Sequence, residues 1–347
     1  MTGTSIRERF AEWSIWIWAF GYFAAYAPYS AMTKAVSSGE GSLSGLQVLP
    51  LSTTASLVCM LLFIVVSGWW RDATQFKLGG VSLPRPGRWT FLSGLCTAAI
   101  IGTTTLAYTF DGTSIVFMML LMRGGVLVIA PIVDAVSKRK VRWFSWVALA
   151  LSLGALLVAV WGRADARLTL VAGLDVFVYL AAYFIRLRFM SRMAKSKDPK
   201  DSRRFFVEEQ MVATPAIVLV LVVLAVWGQG PGMLALRSGF TEVVSGAWFW
   251  PVAIIGVLSQ LTGVFGAFIL LDNRENSFCV PVNRASSIIA GVVAGFALWA
   301  LGQGGWPATK ELIGAALVTC AILVLALPPM LAARRRAAVS STSSLAS

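Results

Sequence analysis

Apolar residues run through this chain in ten long stretches, separated by short segments where Lys, Arg, Gly, Pro and Ser collect. About 20 residues of α-helix cross the hydrocarbon core of a bilayer. The pattern therefore predicts ten transmembrane helices, over residues 13–34, 47–69, 89–110, 113–136, 143–162, 168–190, 206–228, 247–271, 277–301 and 307–332.

The second half of the chain repeats the first at an offset of about 160 residues, as duplication of a five-helix unit would leave it. Tyr22-Phe-Ala-Ala-Tyr26 matches Tyr179-Leu-Ala-Ala-Tyr183. Trp89 matches Trp248, and Ala107-Tyr108 ahead of Asp111 matches Ala267-Phe268 ahead of Asp272. Arg123 matches Arg284, and Gly154-Ala-Leu matches Gly314-Ala-Ala-Leu. An odd number of spans makes the second unit enter the membrane from the opposite side. The expectation is an all-α integral membrane protein, with an inverted repeat of residues 13–162 and 163–332. A short segment 1–12 precedes the repeat, and a basic, then serine-rich tail 333–347 follows it.

Composition and charge agree with this class. Hydrophobic residues make up 57% of the chain and charged residues 13%, so lipid and neighbouring helices must solvate most of it. A net charge of +13 in a soluble protein would point to nucleic acid. Here the basic residues alternate with the spans. Arg7, Arg9, Arg71, Lys77, Arg85, Arg88, Lys138, Arg139, Lys140 and Arg142 fall on one side. So do Arg186, Arg188, Arg192, Lys195, Lys197, Lys200, Arg203, Arg204, Arg274 and Arg334, Arg335, Arg336. Only Lys34, Arg163, Arg167, Arg237 and Lys310 fall on the other. The bias puts both termini in the cytoplasm and makes the lipid bilayer, not nucleic acid, the partner. The first span is long and has a repeat partner, so it reads as a retained helix and not a cleaved leader.

Ten spans, an inverted repeat and glycine-bearing spans 5 and 10 resemble the drug/metabolite transporter superfamily, including its EamA-like members. Ser114-Ile-Val-Phe-Met-Met-Leu-Leu-Met-Arg123-Gly-Gly, then Pro131, the turn Lys138-Arg-Lys140 and Trp143, resemble the fourth helix of its nucleotide-sugar and chloroquine-resistance-like carriers. The chain departs from simple bacterial exporters, which often end that helix in glutamate. Where sugar-phosphate antiporters have a double basic motif, it has Asn283-Arg284. The resemblance implies a secondary transporter that works by alternating access.

The candidate chemistry lies in the few polar residues of the spans. An arginine at mid-membrane costs roughly 2.5–3.5 kcal/mol on insertion scales, so it is seldom left without a partner or a wet cavity. Arg123 and Arg284 both fall deep in their spans, and Asp175 is the only carboxylate read as well inside an apolar run. Two arginines against one aspartate predict an anion site for a phosphate or carboxylate held by the guanidinium forks. A closed Arg–Asp network is the alternative. Tyr22, Tyr26, Tyr179 and Tyr183 sit at mid-span on one face of their helices, where buried phenols want partners. With Tyr108 and Asn283 they complete the candidate substrate site, unless they merely pack. Gly124, Gly125, Pro131 and Pro281 flank the arginines as candidate hinges. Asp175 is the candidate for proton coupling, since the chain has no histidine.

Other classes are carried alongside. Export of amphiphilic or cationic compounds and flipping of a lipid-linked head group share the architecture. A membrane-embedded enzyme would need a nucleophile and base or metal ligands. Without histidine, and with Cys59, Cys96, Cys279 and Cys320 scattered among apolar residues, no cofactor, metal or enzymatic activity is expected. A receptor or scaffold would have no central site. Gly154 and Gly314 mark spans 5 and 10 as packing or homodimer surfaces, and Gly291-Val-Val-Ala-Gly295 predicts a close helix contact.

Overall fold

The structure is a computed structural model; it describes residues 6–37, 41–78, 81–106, 115–160, 170–195, 198–302, 306, 309, 312–325, 327–328 and 331. The chain is an all-α membrane protein. Its helices are α1 (Ile6–Val36), α2 (Gly45–Ser67), α3 (Arg88–Leu106), α4 (Ile115–Val136), α5 (Trp143–Val160), α6 (Leu170–Met193), α7 (Pro199–Trp227), α8 (Gly230–Ser245), α9 (Phe249–Leu271) and α10 (Asn276–Ala300). An apolar helix α11 (Leu312–Leu325) follows. Four of them, α2, α7, α9 and α10, are each long and apolar enough to cross a membrane, by length and composition among the described residues.

Local sequence explains where these helices start and stop. Ser44 and Gln47 close a capping box on α2, satisfying free N–H groups at its start, and Gly68 ends it in the left-handed conformation at φ 69°. Asp198 caps α7 ahead of Pro199, whose missing N–H costs nothing in the first turn. At the other end of α7 the Arg237 guanidinium takes up two free carbonyls, donating to Ala225 and Val226 at 2.8 Å each.

Two elements were not expected. Between α2 and α3 a hairpin pairs β1 (Gln75–Leu78) with β2 (Val81–Pro84), antiparallel, Gln75 opposite Pro84. Between α7 and α9, where the hydropathy pattern predicts only a connection, α8 forms. Arg237, Ser238 and Glu242 keep its sequence from reading as a span. It packs on α2 and α7.

The packing brings distant parts of the chain together. α1 lies against α9 and α10, and α6 lies against α3 and α4. α2 packs on α9, α7 packs on α3, and both α2·α7 and α4·α10 are in contact. Several crossings are close enough to require glycine. A Cβ on Gly256 of α9 would collide with the Ser52 carbonyl of α2, and one on Gly94 of α3 would lie 2.8 Å from the Glu209 carbonyl of α7. A Cβ on Gly291 would meet nothing within 4 Å. Trp69 packs inward against Phe63, Phe206 and Phe268, because the 3-10 turn Trp69–Arg71 folds it back over α7 and α9.

Candidate functional site

The buried faces of α1, α4, α6 and α10 converge on a cluster of arginines and tyrosines. On α4, the Arg123 Nη2 donates to the Tyr26 hydroxyl of α1 at 2.8 Å. On α10, the Arg284 guanidinium lies 5.3 Å from the centroid of the Tyr183 ring of α6 and is hydrogen-bonded to the Tyr183 hydroxyl. Tyr179 is hydrogen-bonded to that same hydroxyl. Tyr22 and Tyr179 each lie within electrostatic reach of both arginines, so the two guanidinium groups share one neighbourhood. Helical periodicity builds it: Tyr22 stacks on Tyr26 with ring planes 12° apart, and Tyr179 packs against Tyr183 at 4.9 Å between centroids.

Arg284 is 8% exposed. No carboxylate forms an ion pair with it among the described residues, and its Nε has no hydrogen-bond partner. A buried cation with an unused donor is a costly arrangement unless something else completes it. Gly266 of α9 allows the close approach that brings Tyr22 and Asn283 beside this group, since a Cβ there would sit 3.0 Å from the Tyr22 ring and 3.3 Å from the Asn283 amide.

Asp175 lies two turns before Tyr183 on the same face of α6. It is buried and forms no ion pair with either arginine among the described residues, and its Oδ2 has no partner. The alternative of a closed network between Asp175 and the two arginines is therefore not made among the described residues. Gly125 admits the close packing of α4 on α6, with Leu180 2.5 Å from where its Cβ would be. α4 and α10 run unbroken through Pro131 and Pro281. Tyr108 falls outside the described residues.

Sequence reading underestimated the buried charge. Arg186, counted only among the charges of the cytoplasmic side, is 6% exposed and pairs with Glu209, which is fully buried. The pair is bidentate at 2.9 and 2.8 Å, and the Ser93 hydroxyl donates to the same carboxylate at 2.6 Å. Asp134, Glu208 and Glu275 are buried too, Asp134 near the end of α4 and Glu275 just ahead of α10. One signal was available: Arg186 continues the Tyr179, Tyr183 stripe at helical spacing.

A second polar group ties the chain together where α4 and α6 end and α10 begins. The Asp134 carboxylate accepts from the backbone N–H groups of Asn276 and Ser277 at 2.9 and 2.7 Å, and from both their side chains. This caps α10 with a negative charge at its positive end. Arg139 donates to the carbonyls of Arg274 and Lys195, and the Lys195 ammonium donates to the Arg274 carbonyl at 2.8 Å. Arg142 pairs with Glu275 at 2.7 Å. Burial alone would raise the Glu275 carboxyl; the Arg142 guanidinium and the Ser145 hydroxyl hold it below the usual range instead.

Two apolar grooves open on the outside of the bundle. One, of about 780 Å³, runs between α2, α7, α8 and α9, and a smaller one lies between α1, α10 and α11. Neither is lined by Arg123 or Arg284.

No protein-family profile matches the chain, and no curated protein matches it. Among solved structures 28 chains match. One, described as "Crystal structure of protein", has a TM-score of 0.54 and 16% identity, over 93% of this chain and 98% of the other. That likeness is one of fold.

Proposed function

We propose that the protein is a secondary transporter of the drug/metabolite type, moving a small anionic organic solute that carries a phosphate or carboxylate. The observation that carries this is Arg284: a buried guanidinium in a membrane-spanning helix, with an unused donor, no carboxylate partner among the described residues, and a tyrosine face beneath it. An anion would complete it. Arg123, Asn283 and Tyr22, Tyr26, Tyr179 and Tyr183 form the rest of the proposed site, and the aromatic faces suit a sugar- or base-bearing anion.

The reading takes α1–α5 and α6, α7, α9, α10, α11 as the two units of a ten-span inverted repeat, with α8 added. The packing supports it. Exchanging the units turns α1·α9 into α6·α3, α1·α10 into α6·α4, and α2·α9 into α7·α3, and each of these contacts is made. Arg123 and Tyr26 exchange with Arg284 and Tyr183, so the two arginine–tyrosine bonds are also equivalent. In this reading the two units swap conformations about the site to expose it to each side in turn. Gly124, Gly125, Pro131 and Pro281 serve as hinges, both termini lie in the cytoplasm, and the membrane is a bacterial inner membrane. Asp175 is the coupling residue if a proton is co-transported. A homodimer would use α5 and α11, where a Cβ at Gly154 would meet no neighbour.

Flipping of a lipid head group would bring an apolar groove to the arginines, and the two grooves are lined by neither. The test is uptake by vesicles holding the full chain, against a panel of labelled phosphates, nucleotide sugars, amino acids and lipophilic cations. Uptake confined to the cations would remove the reading.

A further inference from the structure

The buried stripe of α6 does not end at Tyr183. One turn further on it carries Arg186, so a single helix face presents Asp175, Tyr179, Tyr183 and Arg186 over about 16 Å of axial rise. The Tyr183 hydroxyl is hydrogen-bonded to Arg284 and lies within electrostatic reach of Arg186. The two arginines differ in one respect: Arg284 has no carboxylate partner among the described residues, whereas Arg186 forms a bidentate pair with Glu209. The offset that relates Tyr22 and Tyr26 to Tyr179 and Tyr183 also relates Tyr29 to Arg186. The ion pair thus stands on one side of the site only, in a place where the other unit has a neutral phenol.

We propose that Arg186 and Glu209 form an exchangeable ion pair, with Arg186 a third anion station on the cytoplasmic side of Arg284. This rests on the anion-carrier reading. The solute's anionic group forms a bidentate contact with the Arg186 guanidinium and displaces the Glu209 carboxylate, which takes up one proton from the cytoplasmic side. When the solute leaves, the carboxylate gives up that proton and re-forms its pair with Arg186. Charge in the buried site is conserved at each exchange, which a static pair beside a mobile anion would not achieve.

The surroundings of Glu209 leave it one strong partner. From α6 it faces Arg186, with Tyr183 a turn away; from α3 it faces Ser93 and Cys96. Its neighbour Glu208 is turned toward Thr74, Gly87 and Thr90, which donate to it. Asp72, on the turn packed against α7, pairs with Arg203, and Arg237 of α8 lies at the far end of α7 beside Ala225. α2 brings no charged group to it among the described residues.

The experiment titrates sodium sulfate into the purified full chain at constant ionic strength and follows binding by thermal stabilisation. Sulfate keeps its charge from about pH 5 to about pH 8, so any pH dependence belongs to the protein. The wild type is expected to bind more tightly as pH falls. Glu209→Gln should bind about tenfold more tightly at neutral pH and lose the pH dependence. The double variant Arg186→Gln, Glu209→Gln, again without a net buried charge, should lose the gain. Weakened binding in Arg284→Gln together with unchanged affinity in Glu209→Gln would overturn the exchangeable pair and leave the carrier reading standing. Unchanged binding in Arg284→Gln would remove the carrier reading itself. If Glu209→Gln does not fold, a flat pH profile in the wild type overturns the proposal.

Discussion

Arg284 donates to Tyr183, over whose ring its guanidinium lies, as Arg123 donates to Tyr26. The first bond joins α10 to α6 and the second joins α4 to α1, so each arginine reaches its tyrosine through a different pair of helices. A hydrogen bond to a charged group contributes about 1.5–3 kcal/mol. Tyr26→Phe and Tyr183→Phe should therefore each raise the KM of anion uptake by tenfold or more, by similar factors, with little change in thermal midpoint. Concentration-dependent uptake into vesicles measures both.

The helix crossings give a stability prediction. Gly256→Ala would drive a methyl group into the Ser52 carbonyl, and backbone cannot move aside as a side chain can. Overpacking of this kind costs about 1–3 kcal/mol. Gly154→Ala adds the same methyl where nothing lies within 4 Å, and gains about 1 kcal/mol of helix propensity. Thermal unfolding in detergent should show the first variant falling and the second holding or rising.

Asp134 offers a test of the alternating-access reading. Its carboxylate joins the end of α4 to the start of α10, and under that reading these belong to opposite units. Asp134→Ala leaves two backbone N–H groups without their acceptor and should loosen the cytoplasmic end. Cys279 lies fully buried in this region, 3.4 Å from the Lys195 ammonium, and is a native reporter. With the other three cysteines replaced by serine, labelling of Cys279 by a cytoplasmic thiol reagent should quicken at least about tenfold. An unchanged rate would contradict a gate at this place.

The same region has a predictable response to acid. Glu275 has its carboxyl held below the usual range by Arg142 and Ser145. A depressed pKa stabilises the fold above the unfolded value, near pH 4.3, and the contribution is lost as pH falls through the lower folded value. Thermal midpoints of the wild type and Glu275→Gln should differ at pH 7 and converge in acid below about pH 4.

Much of the site was legible because helical spacing is a local property. Tyr22, Tyr26, Tyr179 and Tyr183 could be put on common faces by counting, and Arg123 and Arg284 stand out as charges in apolar runs. The partner of Arg186 was not legible. Glu209 reaches it from another helix, and only the packing of α6, α7 and α3 brings them together. Counting Arg186 with the cytoplasmic-side charges followed from its place near the end of an apolar run, where an unburied arginine is ordinary. α8 escaped for a related reason: Gly239 pressed on the Gln47 carbonyl holds it to α2, a tertiary contact that hydropathy does not record. The turn that sends Trp69 inward was equally invisible, since Phe63, Phe206 and Phe268 come from three helices.

The most direct measurement is uptake of labelled phosphates and nucleotide sugars into vesicles carrying the wild type, Arg123→Gln or Arg284→Gln. The account predicts that the wild type accumulates at least one of these anions, and that each variant loses at least about tenfold of that uptake while keeping its thermal midpoint within a few degrees. Anion uptake undiminished in Arg284→Gln would contradict it.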